Sequence, residues 1–97
     1  MRVYPAVSFA PADLVIRTSI EPDANNRAMA VVADSGGFYR SSEIQLEGDR
    51  APKTTTFEFR SLPPGEYAVT AVVIGADGQR RALARAHVNV VEPGSSH

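Results

Sequence analysis

Ninety-seven residues, 43% of them hydrophobic, suffice for one domain around one core and no more. Its 10 basic and 11 acidic residues give a net charge of −1, which argues against a general nucleic-acid or anionic-membrane binder. The absence of cysteine excludes a disulfide scaffold, a thiol nucleophile and any cysteine-ligated metal, and no apolar run approaches the roughly 18 residues of a membrane span.

Residues 1–12 hold Pro5 and Pro11 among Tyr4, Val7 and Phe9. Two prolines disfavour a helix, so this segment is expected to be an extended strap or linker. Its three large apolar side chains favour a strap laid on the domain over a solvated linker. Residues 13–21 read as a strand with Leu14, Ile16, Thr18 and Ile20 on one face and Val15, Arg17 and Ser19 on the other. Pro22-Asp23-Ala24-Asn25-Asn26 is a turn by composition. Arg27 to Asp34 has two adjacent valines and runs into Ser35-Gly36-Gly37, as expected of a short buried strand. From Phe38 to Glu47, Phe38, Ile44 and Leu46 share one face, while Tyr39, Ser41, Glu43, Gln45 and Glu47 should see water.

A polar loop over residues 48–53 leads to a strand at Thr54 to Arg60, where Phe57 and Phe59 alternate with Glu58 and Arg60. Leu62-Pro63-Pro64-Gly65 ends it, because proline cannot donate to a ladder and glycine accepts the backbone angles of a corner. Tyr67 to Ile74 is apolar at nearly every position, as in a central strand, and Gly75-Ala76-Asp77-Gly78 is a hairpin loop. In the returning strand, Arg80 to Val91, the alanines at 82, 84 and 86 with Val88 and Val90 point one way. Arg81, Leu83, Arg85, His87 and Asn89 point the other. The expected organisation is a strap at 1–12, a β-sandwich at 13–92 and a tail at 93–97 with the look of a purification-tag remnant. Six strands, or seven if the strap pairs, with short connections and no helix, imply an all-β antiparallel sandwich with Greek-key connections.

Leu62-Pro-Pro-Gly-Glu-Tyr67, followed by Ala-Val-Thr-Ala-Val-Val and the Gly-Ala-Asp-Gly hairpin, resembles immunoglobulin-like and fibronectin type III-like domains, in particular bacterial members whose penultimate strand opens this way. The resemblance covers roughly residues 54–91. It implies an immunoglobulin-like sandwich of an exported protein, hence an extracytoplasmic location. It also implies that Tyr67 anchors the corner made by Leu62, Pro63, Pro64 and Gly65 through a hydroxyl bond to nearby backbone.

No catalytic constellation stands out. The histidines are His87, mid-strand, and His97, in the tail, and no serine sits on a strained turn beside a base. Asp23, Asn25 and Asn26 are too poor in carboxylates for calcium, and no glycine loop opens a helix that would cradle phosphate. No cofactor or metal is implied. The sharper feature is a surface. If Tyr67, Val69, Ala71 and Val73 point inward, Thr70, Val72 and Ile74 point outward. With the 67–74 strand between 38–47 and 80–91, the outer face presents Tyr39, Glu43 and Glu47 on one side. Arg81, Leu83, Arg85 and His87 lie on the other. An apolar strip rimmed by acids and bases marks a contact surface, a subunit contact, or ground covered by the strap with ordinary Glu–Arg pairs across strands.

The expected function is therefore a non-catalytic protein-interaction or spacer module that contacts another protein or itself as a homodimer, without nucleic acid or membrane insertion. The alternative is an accessory carbohydrate-binding module of a secreted hydrolase, for which Tyr39 is the one exposed aromatic platform outside the strap.

Overall fold

The computed structural model describes residues 1–21 and 23–93; Pro22 of the expected turn and residues 94–97 of the expected tail lie outside the described residues. Eight strands form two sheets: β1 (Arg2–Tyr4), β2 (Val7–Phe9), β3 (Ala12–Ser19), β4 (Asn26–Asp34), β5 (Tyr39–Gln45), β6 (Thr54–Leu62), β7 (Gly65–Gly75) and β8 (Arg80–Val91). The three-stranded sheet runs β1-β3-β6 and the five-stranded sheet β2-β8-β7-β4-β5. Among the described residues, the only parallel ladder joins β2 to β8. Residues 48–50 make one 3-10 turn in the polar loop, and the described residues contain no α-helix.

The strap splits between the sheets. β1 pairs with β3 through Val3 and Ile16, and β2 runs beside β8 through Ser8 and Val90. Backbone bonds from Asn89 to the Ala6 carbonyl and from Ala10 to the Val91 carbonyl, 2.9 and 2.8 Å, hold the crossing. β1 and β2 therefore line one edge of each sheet and do not cover a sheet face.

The period-two pattern decides the core. Leu14, Ile16, Phe57 and Phe59 of the three-stranded sheet meet Met29, Val31, Tyr67, Val69, Val73 and Val88 of the five-stranded sheet in one apolar cluster. Burying each large aliphatic side chain contributes about 1.5–3 kcal/mol, the main stabilisation open to a chain without disulfides. β7 is the central strand of the five-stranded sheet, paired with β8 on one side and with β4 on the other. Local polar bonds close the hairpins. Asp34 Oδ1 accepts from the Gly36 N–H at 2.8 Å, and Asp77 Oδ1 from the Gln79 N–H at 3.0 Å. Gly78 at φ +82° supplies the left-handed position that the second hairpin requires.

Candidate functional site

β7 organises two regions. At its start, the corner packs Leu62 and Tyr67, both fully buried. The Tyr67 hydroxyl donates to the Pro63 carbonyl at 2.7 Å, and its ring meets Phe38 edge-on, with centroids 6.4 Å apart at 78°. Arg40 covers the other side of this group, its guanidinium 5.2 Å from the Phe38 centroid and bonded to the Arg60 carbonyl. Burial pushes the Tyr67 hydroxyl above the ordinary tyrosine pKa, against smaller opposite pulls from Ser35 and Arg40. Pro64 leads into Gly65, where an added Cβ would stand 3.0 Å from the Ser35 Cβ, so a side chain there would push the corner away from the β4–β5 turn.

The second region is the outer face of the five-stranded sheet. Residues opposite one another in a ladder share a face, so the register lays this face out in rows. One row is His87, Ala68, Asp34, Tyr39; the next is Arg85, Thr70, Val32, Ser41. Below them come Ala82, Val72, Ala30, Glu43, and then Arg80, Ile74, Ala28, Gln45. At the far edge, Val7 and Phe9 stand beside Asn89 and Val91. Exposed Val7, Phe9, Leu83 and Tyr39 and half-buried Val72, Ile74 and Val32 thus share one surface. Thr70, Ala82, Leu83, Ala84 and Arg85 shape a shallow hollow of about 350 Å³ in it.

This arrangement departs from the expected face in four ways. β4 lies between β5 and β7, so the middle of the face is Ala28, Ala30 and Val32 as well as Thr70, Val72 and Ile74. For the same reason the acids and bases at the two rims cannot make the expected cross-strand pairs. Glu47 lies past the end of β5, at the N-cap of the 3-10 turn, and is off the face. Arg81 is also off it. The β7–β8 ladder slips at Leu83, Ala71 pairing with Ala84 but Val72 with Ala82, so Arg81 comes opposite inward-facing Val73 and Arg80 takes the outer position. Arg81 instead lines, with Asn25, Asn26, Asp77, Gln79 and Arg80, a polar pocket of about 220 Å³ at the hairpin end. The strap residues Val7 and Phe9 were missed, although three large apolar side chains in so short a segment signalled a place on the domain.

Asp23, Asn25 and Asn26 form a turn. Asp23 Oδ1 accepts from the Asn25 N–H at 2.8 Å, and the buried Asn26 amide donates to the Glu21 carbonyl at 3.3 Å. The described residues hold no group of three His, Cys, Asp or Glu side chains placed for a metal ion.

No family model matches the chain, and no curated protein does. Among solved structures, a superoxide reductase (neelaredoxin) from Ignicoccus hospitalis superposes with a TM-score of 0.70 at 16% identity, over 93% of this chain and 79% of that one. At that identity the likeness is one of fold. It corrects the expected family: the strands are arranged as in a small superoxide reductase, not as in an immunoglobulin-like or fibronectin type III-like domain. An alternating strand, a proline corner and a tyrosine are features of antiparallel sheet packing in general, so they do not tell one β fold from another. The expectation of a non-catalytic interaction or spacer module falls with that family, as does the carbohydrate-binding alternative, since this fold carries an enzyme in the protein it matches. The extracytoplasmic location rested on the same resemblance and falls too.

Reducing superoxide is a one-electron step that calls for a redox-active centre, and the residues here do not suit a resident metal. The chain has no cysteine, and its one described histidine, His87, is exposed on the outer face, with no three-donor cluster among the described residues.

Proposed function

We propose that the outer face of the five-stranded sheet is a contact surface, covered in use by another protein or by a second copy, whatever activity the fold itself carries. One observation carries this reading. Of the five exposed large hydrophobic side chains among the described residues, Tyr4, Val7, Phe9, Tyr39 and Leu83, all but Tyr4 stand on that face. Solvated apolar side chains gathered on one side of a small domain are the mark of a surface that is covered in use. The near-neutral charge supports a protein rather than a nucleic acid as the occupant. In finer architecture the reading is an antiparallel sandwich with Greek-key connections; the support is that the chain changes sheet between β3 and β4, β5 and β6, and β6 and β7.

The test is capture from the cells that make the protein, using the intact chain, Val72→Glu/Leu83→Glu, and Thr56→Glu on the other sheet. A partner held by the intact chain and by Thr56→Glu but lost from the double variant supports the face. Equal capture by all three overturns it.

The fold likeness favours a second reading, reduction of superoxide itself. Its test is superoxide decay in the presence of the chain, alone and with divalent first-row metals added. Given the donor set, decay is expected at the protein-free rate, and a faster decay would add the enzymatic reading to the first.

A further inference from the structure

A bulge in a ladder re-aims the side chains beyond it, and the slip at Leu83 does this to an arginine. An unbroken two-residue period would put Ala82 on the inner side of β8 and Arg81 on the outer side. With the slip, Arg81 stands opposite inward-facing Val73, a position that the strands of a sandwich ordinarily fill with apolar residues. It is exposed there, near the start of β8. Together with Arg80, Gln79, Asp77 and Asn25 it lines the polar pocket of about 220 Å³ between the β3–β4 turn and the β7–β8 hairpin.

Backbone bonds fix the frame of this pocket. The Ala76 N–H donates to the Asn25 carbonyl and the Gly75 N–H to the Gln79 carbonyl, both at 2.9 Å. Gly75 has no left-handed φ to account for it. A Cβ there would stand 3.0 Å from Asp77 Oδ1 and 3.1 Å from Asn25 Nδ2, so the glycine keeps space between turn and hairpin.

The donors around that space are uncommitted. Asp77 Oδ1 accepts from the Gln79 N–H at 3.0 Å, and Asn25 Oδ1 from the Ala76 N–H at 3.4 Å. The amide nitrogens of the Asn25 and Gln79 side chains and the guanidiniums of Arg80 and Arg81 have no hydrogen-bond or ion partner among the described residues. Asp77 is the one acid in the lining, and Glu21 and Asp23 of the neighbouring turn lie outside it. Two cations and two neutral amides, all donors, form the inventory of an oxyanion site.

We propose that this pocket binds a tetrahedral inorganic oxyanion of the size and charge of phosphate. The volume is below the roughly 300 Å³ at which pockets for organic ligands begin. Guanidinium forks match pairs of phosphate oxygens, and the two amides serve the oxygens that remain. A carboxylate, with two oxygens, uses fewer of these donors. The site is independent of what covers the outer face.

The test is a heteronuclear NMR titration of the labelled chain with sodium phosphate, at an ionic strength held constant with sodium chloride. Saturable shifts are expected at the backbone amides of residues 75–81 and at the side-chain amides of Asn25 and Gln79. Arg80→Gln/Arg81→Gln should weaken binding at least about tenfold. Arg17→Gln/Arg50→Gln, which removes the same charge from exposed positions elsewhere, should leave it within about twofold. Asp77→Asn keeps an oxygen for the Gln79 N–H, loses the like charge and should tighten binding about two- to fivefold. Acetate should bind several-fold more weakly than phosphate. The dispersion of each spectrum reports folding, and if the Arg80/Arg81 double variant does not fold, Arg81→Gln alone must weaken binding. No saturable shift at the hairpin, or equal weakening by the two double variants, overturns the site. Acetate binding as tightly as phosphate overturns its assignment to a tetrahedral anion.

Discussion

The two faces of β7 share a backbone and differ in everything else. Tyr67, Val69 and Ala71 on the inner side are fully buried and Val73 nearly so, whereas Ala68, Thr70, Val72 and Ile74 on the outer side are half-buried. Inward side chains close on the three-stranded sheet, and their exchange for smaller ones leaves a void that the surroundings cannot fill. Outward side chains rest on their ladder neighbours and on solvent. The apolar run that makes β7 look like a plain core strand thus holds two kinds of residue. One kind is there for stability, and the other has to be accounted for by what the face touches.

Substitutions can break this distinction or sharpen it. Tyr67→Ala removes the largest fully buried side chain and should cost about 3–5 kcal/mol of unfolding free energy, read by denaturant titration. A much smaller loss would mean that the corner is not well packed. Tyr67→Phe keeps the ring and gives up only the bond to the Pro63 carbonyl, for about 1 kcal/mol.

The same variant has a pH signature. Burial holds the Tyr67 hydroxyl protonated to higher pH in the folded chain than in the unfolded one. Its contribution is therefore complete below the unfolded value near 10 and is lost as pH rises through the folded value. Stability of the intact chain should fall in that alkaline window, and Tyr67→Phe should fall less.

On the outer face, Val72→Glu/Leu83→Glu should cost no more than about 1 kcal/mol of folding stability, since neither residue belongs to the inner core. A loss as large as that of Tyr67→Ala would erase the difference between the two faces. The smallest effect is expected at Glu58→Gln. It removes the 2.7 Å pair with Arg60, both side chains open to water, and should leave the unfolding midpoint unchanged within error.

Within single strands, the residues already announce which side faces in. Leu14 and Ile16 against Asp13 and Arg17, or Phe57 and Phe59 against Glu58 and Arg60, need only the two-residue period of an extended chain to be sorted. The Leu62–Tyr67 corner is legible for the same reason, because two prolines and a glycine act on their own backbone. The face is less legible. Period two places Arg81 with Leu83 and Arg85, and a single bulged residue in β8 reverses it. Nothing in the local pattern says that Arg27 to Asp34, and not Phe38 to Glu47, lies beside β7.

What the sequence determined by itself is the strand content, the corner and the inward sets that fill the core, all of which follow from properties of residues close together in the chain. The tertiary structure decided the division of the first twelve residues between two sheets, the place of β4 inside the five-stranded sheet and the slip at Leu83. These depend on which distant backbone each strand pairs with, and a one-residue change in that pairing turns every following side chain to the other face.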